Sequence, residues 1–148
     1  MQQWMNELTA VSDRKKFLVL NGPSRLGKTQ FAIGLYGVER TLEVNCAGAS
    51  HPPLRNFDSH IHRCVVMDEA PVSMVLGYRR LFQAPNCQVI IGQSPTNQSC
   101  YPVYLNETAI IICSNSWHTE LPALCESDAG WIRANMVFVQ VSEPLWKE

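Results

Sequence analysis

Charge is scarce in this chain. Of 148 residues only 12 are Lys or Arg and 13 are Asp or Glu, a charged share of 17% with a formal net charge of −1. Ordinary globular chains carry about 25%. A free-standing basic module that grips nucleic acid through its phosphates is thereby excluded, so any such contact has to be local or assembled from several copies. No stretch approaches the roughly 18 consecutive apolar residues of a membrane span, and no secretory leader pattern is present. The six cysteines, at 46, 64, 87, 100, 113 and 125, include no C-x-x-C pair, which removes the common zinc frameworks. Cys64 and Cys113 lie inside apolar runs and read as small buried hydrophobes. Together these absences predict free thiols in a reduced intracellular compartment, with no membrane partner. Repeats and low-complexity tracts are also missing.

What the chain does have is a core. Hydrophobic residues make up 46% of it, and a chain of this length buries about 70% of the surface exposed on unfolding. The segment "QQWMNELTAV" places Trp4, Met5, Leu8 and Val11 on one face at helical spacing. Residues 1–15 are therefore expected to hold a short helix serving as a collar or as a cap on the core, with one domain over 16–148. Apolar runs at 16–21, 41–45, 63–70, 108–115 and 136–141 predict buried strands. Helical patterns are expected at 28–37, closed by Gly37, and at 72–84. Strands alternating with helices predict an α/β fold with a five-stranded parallel sheet covered on both faces, a three-layer arrangement. Residues 87–105 depart from the alternation: two strands around the polar tip "GQSPTNQS" predict an inserted β-hairpin.

The stretch Gly22-Pro23-Ser24-Arg25-Leu26-Gly27-Lys28-Thr29 matches the phosphate-loop pattern G-x-x-x-x-G-K-[ST] at every position. It follows a strand and opens a helix, as that loop must. Glycines let backbone N–H groups wrap phosphate oxygens, and the helix beginning at Lys28-Thr29-Gln30 points its positive end at the anion. Lys28 would reach the outer phosphates, and the Thr29 hydroxyl would ligate Mg²⁺. These residues predict a P-loop NTPase that takes ATP and Mg²⁺.

"CVVMDEA" delivers Asp68 and Glu69 to the carboxyl end of a strand, where open α/β sheets bind ligands. Asp68 would help hold Mg²⁺, and Glu69 would act as general base on the attacking water. The competing reading has these acids serve the N-terminus of the next helix. "IIICSN" repeats the design, ending in Asn115, an amide able to bond both the water and the γ-phosphate; Ser-Asn also suits a plain turn. Arg133, in "WIRANMVFVQV", would be an arginine finger for a neighbouring subunit or an ordinary exposed helix arginine.

The order of these parts, "GPSRLGKT", "VVMDE", a hairpin, "IIICSN" and a late "WIRA", resembles the superfamily 3 helicase domain, in particular the ATPase domain of replication-initiator (Rep) proteins of circular single-stranded DNA viruses and related elements. The likeness covers about residues 16–141. It implies an AAA+-like sheet, hexameric rings, ATP bound between subunits and single-stranded DNA threaded through the pore. It also implies a role in DNA replication, in the nucleus of a host cell for a viral chain. By position it assigns catalysis to Lys28, Asp68, Glu69, Asn115 and Arg133. Two departures stand out. The hairpin tip carries no basic residue, leaving Gln93, Asn97 and Gln98 to hydrogen-bond DNA phosphates, with Arg79 and Arg80 the nearest cations. The family's nuclease domain would lie outside this chain: "HIH" at 60–62 sits between the phosphate loop and the acidic strand, without a third ligand. A small-molecule kinase or a nucleotide-regulated assembly module are the alternatives; Lys28, Thr29, Asp68 and Glu69 are all intact, which weighs against the latter.

Overall fold

The three most apolar runs become the three inner strands of one sheet. The computed structural model describes residues 16–23, 26–85, 87–92 and 100–142; the expected helix within 1–15 lies outside them. Inner strands β1 (Phe17–Asn21), β3 (Cys64–Asp68) and β6 (Ala109–Ser114) are flanked by β2 (Thr41–Asn45) and β7 (Met136–Gln140). The order is β2-β3-β6-β1-β7, and every neighbouring pair is parallel. Residues 17–20, 64–67 and 109–114 are all buried, because inner parallel strands are covered on both faces and need no polar alternation. The edge strands β2 and β7 are only half-buried.

Side-chain alternation sorts the strands into two cores. Phe17, Val19, Val65, Met67, Ile110 and Ile112 face one way; Leu18, Leu20, Cys64, Val66, Ile111 and Cys113 face the other. Helix α1 (Lys28–Tyr36) covers the second face through Ala32 and its partly buried neighbours Phe31, Ile33 and Leu35. The first core is covered by α2 (Val72–Gly77), a 3₁₀ turn (Leu81–Gln83), α3 (Trp117–Glu120), α4 (Glu126–Asn135) and the hairpin. Its centre is aromatic: the Phe17 ring meets Phe82 edge-on at 5.6 Å and Trp117 at 6.2 Å, the geometry aromatic quadrupoles favour. The molecule is thus a mixed α/β fold with a five-stranded parallel sheet.

The hairpin is where the sequence places it, between β3 and β6. Strands β4 (Val89–Ile91) and β5 (Tyr101–Val103) pair antiparallel, and Ile91 and Val103 point into the first core. The Tyr101 hydroxyl accepts the Leu54 N–H at 2.8 Å and donates to the Pro52 carbonyl at 3.1 Å. This ties the hairpin to the loop after β2.

Two helical expectations need correction. Residues 72–84 do not form one helix: α2 stops at Gly77, and a separate 3₁₀ turn spans Leu81–Gln83. Gly77 is a poor helix former placed where the chain must turn. Conversely, α4 has no expected bounds; a helix there is offered only through the reading of Arg133 as an exposed helix arginine. Its start is legible in retrospect from Glu126 and Asp128 in the first turn, which complement the helix dipole.

Candidate functional site

Because all five strands run the same way, their carboxyl ends share one edge. Asp68 stands opposite Cys113, and Asn21 stands opposite both Ser114 and Gln140. From Asn21 the chain turns through Gly22 and Pro23 and re-enters helix at Lys28. Gly22 donates its N–H to the Ser114 carbonyl at 3.0 Å, while the Val141 N–H reaches the Asn21 carbonyl at 2.6 Å. A Cβ on Gly22 would run into the Val141 carbonyl oxygen. Glycine is therefore required here by the packing of the strand-β7 exit as well as by any loop chemistry. Gly27 caps α1 in the left-handed region (φ 76°, ψ 22°), and no acidic side chain occupies the first turn of the helix. The first turn brings no carboxylate of its own; the Asp68 carboxylate reaches it from β3 through the Thr29 hydroxyl.

Lys28 is the unusual group of this edge. It is only 9% exposed. Its ammonium donates to the carbonyls of Gly22 and Pro23, at 2.7 Å each, and among the described residues it makes no ion pair. Buried charges are ordinarily paired, and among the described residues two of its three N–H donors have acceptors. One residue on, the Thr29 hydroxyl donates to Asp68 Oδ1 at 2.7 Å. Lys28, Thr29, Asp68 and Glu69, with Gly27, Gln30, Leu26 and Cys113, line a cleft of about 300 Å³. Four of the five residues assigned to catalysis by sequence therefore share one sheet edge, three of them in the cleft. Asn115, the fourth, follows β6 in an exposed bend outside the cleft lining.

Glu69 sits at the cleft with a left-handed backbone (φ 60°), exposed, its N–H bonded to the Cys113 carbonyl at 2.9 Å. A residue other than glycine held there marks a backbone that its surroundings over-determine. The acids do not cap α2, whose N-cap is Pro71. Burial pushes the Cys113 thiol up to about 12, with the Asp68 charge adding to the effect. The Cys46 thiol is pushed to about 12 for the same two reasons. Both are neutral at physiological pH; Cys113 lines the cleft, while Cys46 is buried in the first core.

Glu43, which sequence reasoning missed, belongs to this neighbourhood. It lies on β2 opposite Val66, two residues before the partner of Asp68. Its carboxyl is raised above the usual range, first by desolvation and then by a hydrogen bond and the charge of Asp68. Only the β2–β3 register reveals it. Among the described residues no three His, Cys, Asp or Glu side chains gather to hold a metal alone. The Thr29 hydroxyl and the Asp68 carboxylate, hydrogen-bonded to each other at the cleft, are the protein oxygens that could contact a divalent cation there.

The remaining sequence candidates go elsewhere. Arg133 is exposed in the last turn of α4 and lines a separate cavity of about 290 Å³ with Leu121, Ile132 and Met136. Met136 pairs with Phe17 at the start of β1, so Arg133 is at the opposite edge of the sheet, roughly 13 Å of strand away. Arg79 is engaged by Asp128 at 2.5 Å and lies 5.4 Å from the Trp131 ring centre. Arg80 donates from Nε and Nη2, one edge of its guanidinium, to Cys87 Sγ at 3.3 and 3.0 Å. The "HIH" histidines serve a turn: His62 Nδ1 accepts the Asp58 N–H at 3.0 Å, and the His60 N–H donates to Asp58 Oδ1 at 2.8 Å. Ser24, Arg25, Gln93, Asn97 and Gln98 lie outside the described residues. No described helix is long and apolar enough to cross a membrane.

No family model matches the chain, and no curated protein matches it. Among solved structures it is similar to the A-form apo structure of the NrS-1 C-terminal region, at 15% identity and a TM-score of 0.49. That match covers 84% of this chain and 28% of the other, so the chain spans less than a third of that neighbour's length.

Proposed function

We propose that this chain is a P-loop ATPase domain of the Rep-type superfamily 3 helicase kind. The observation that carries the reading is the buried Lys28 ammonium at the start of α1, without a carboxylate partner among the described residues, beside the Thr29–Asp68 hydrogen bond. A cation so placed favours a polyanion over water, and the positive end of α1 adds to the same preference. Thr29 and Asp68 would hold Mg²⁺, which when bound neutralises charge on the phosphate oxygens. Glu69 takes the proton of the attacking water, and Asn115 orients that water from the neighbouring strand.

Arg133 cannot serve its own cleft. Its placement at the far edge supports a role toward the cleft of a second copy, hence a ring oligomer, a hexamer by the resemblance. Single-stranded DNA as the moved substrate, and a nuclease domain outside this chain, rest on the resemblance alone. The test is phosphate release from Mg-ATP without an added acceptor, across protein concentration, with and without single-stranded DNA. Turnover that rises cooperatively with concentration and vanishes in Lys28→Ala supports the reading. Normal turnover in that variant removes the site assignment. Release only when a small-molecule acceptor is supplied favours a kinase.

A further inference from the structure

A single helical turn ties the two halves of the cleft together. Trp117, at the start of α3, is fully buried. Its backbone N–H donates to Asn21 Oδ1 at 2.9 Å, at the residue before Gly22. Its indole N–H donates to the Ala70 carbonyl at 2.8 Å, one residue beyond Glu69. Asn21, also fully buried, has its amide occupied on both sides: Nδ2 donates to Gln140 Oε1 and to His118 Nδ1, each at 3.0 Å. At the far end of the turn the Glu120 carboxylate accepts the Val72 N–H at 3.3 Å and the Ser116 hydroxyl at 2.8 Å. The turn thus grips the root of the loop carrying Lys28 and the backbone that follows Glu69.

The gripped backbone is the strained one. A left-handed conformation costs an L-residue about 1–2 kcal/mol and persists only where neighbours enforce it. Around Glu69 the enforcing bonds are its own N–H to Cys113, the Trp117 indole to Ala70, and Glu120 to the Val72 N–H. Neither Trp117, Asn21 nor Glu120 lines the cleft.

We propose that Trp117 is a positioning residue: through its indole bond to Ala70 and its backbone bond to Asn21 it fixes the Glu69 carboxylate relative to the phosphate loop. This rests on the reading of Glu69 as the base of an ATPase. Misplacing a reacting group by about 1 Å costs up to roughly a hundredfold in rate, while groups that hold phosphates are left in place.

Trp117→Phe removes the indole N–H and keeps an aromatic ring against Phe17. The expected result in Mg-ATP hydrolysis is a fall in kcat of about tenfold or more, with KM and the Kd of a non-hydrolysable ATP analogue within about twofold. An unchanged kcat in the variant overturns the proposal. So does a loss of analogue affinity in step with kcat, which is what general loosening would produce. Should Trp117→Phe fail to fold, Glu120→Ala decides on the same split, with a fall of about threefold expected and unchanged turnover overturning it. A wild-type chain that releases no phosphate is seen before any variant is compared; it removes the proposed function, and this role with it.

Discussion

The two edges of the central sheet are built on opposite plans. At the carboxyl edge, polar groups converge: a buried ammonium, a hydroxyl bonded to a carboxylate, and a second acid on a strained backbone enclose one cleft. At the amino edge the exposed Arg133 stands beside an apolar cavity formed by Leu121, Ile132 and Met136. The first edge gathers charged and polar groups around one cleft; the second offers one cation and a hydrophobic rim. A parallel sheet makes this division unavoidable, since every strand delivers its exit to the same side. An arginine at the wrong edge contributes to such chemistry only when another molecule brings its own cleft to it.

The largest expected effect tests the carboxyl edge. Lys28→Ala should abolish phosphate release from Mg-ATP, with nucleotide binding weakened in a fluorescent-analogue titration; retained turnover breaks the contrast at its stronger side. Next comes the amino edge. Arg133→Ala should lower turnover by about a thousandfold, the scale of an arginine finger, while analogue binding stays within twofold. Mixing it with Lys28→Ala should partly restore turnover, because each chain then lends the part the other lacks. No restoration would confine Arg133 to its own chain.

A third prediction concerns stability. Gly22→Ala forces a methyl group against the Val141 carbonyl, so it should cost about 3 kcal/mol, near 10 °C in Tm by calorimetry. An unaltered Tm would mean that the β7 exit yields freely. The smallest effect is expected at Asp128, whose carboxyl the Arg79 guanidinium holds below its usual range. A depressed folded-state value stabilises above the ordinary carboxylate range and ceases to as pH falls through it. Asp128→Asn should therefore lower Tm slightly at pH 7, and wild type and variant should converge in acid. A gap that persists in acid would assign the effect to packing.

The inner strands were legible because burial on both faces leaves continuous apolar runs, and the half-buried edge strands because their apolar residues still cluster: β2 falls on the predicted segment 41–45 and the others within a residue or two of theirs. The loop at 22–29 was legible because its pattern is contiguous, and Asp68 because it ends an apolar run. Other features were hidden for a physical reason. The Trp117–Asn21 bond joins residues 96 apart in the chain, and Glu43 reaches Asp68 only through strand register. Local patterns carry neither. Gly22 was legible as a glycine, but one reason for it lies in a strand more than a hundred residues later. The extent of helix α4 was not legible because tertiary contacts of Ile132 and Trp131 outweigh its weak propensity.

The seat of Gly22 also has a mechanical meaning. Among the described residues strand β7 is an outer strand, paired on one side only, and its exit is stitched to Asn21 and wedged against Gly22. Pulling or unzipping that margin of the sheet would reach the root of the Lys28 loop while the β3–β6 pairing beneath Asp68 stayed closed. The outermost strand is thus a tether on the loop, and tension on it would be felt by Lys28 before Asp68.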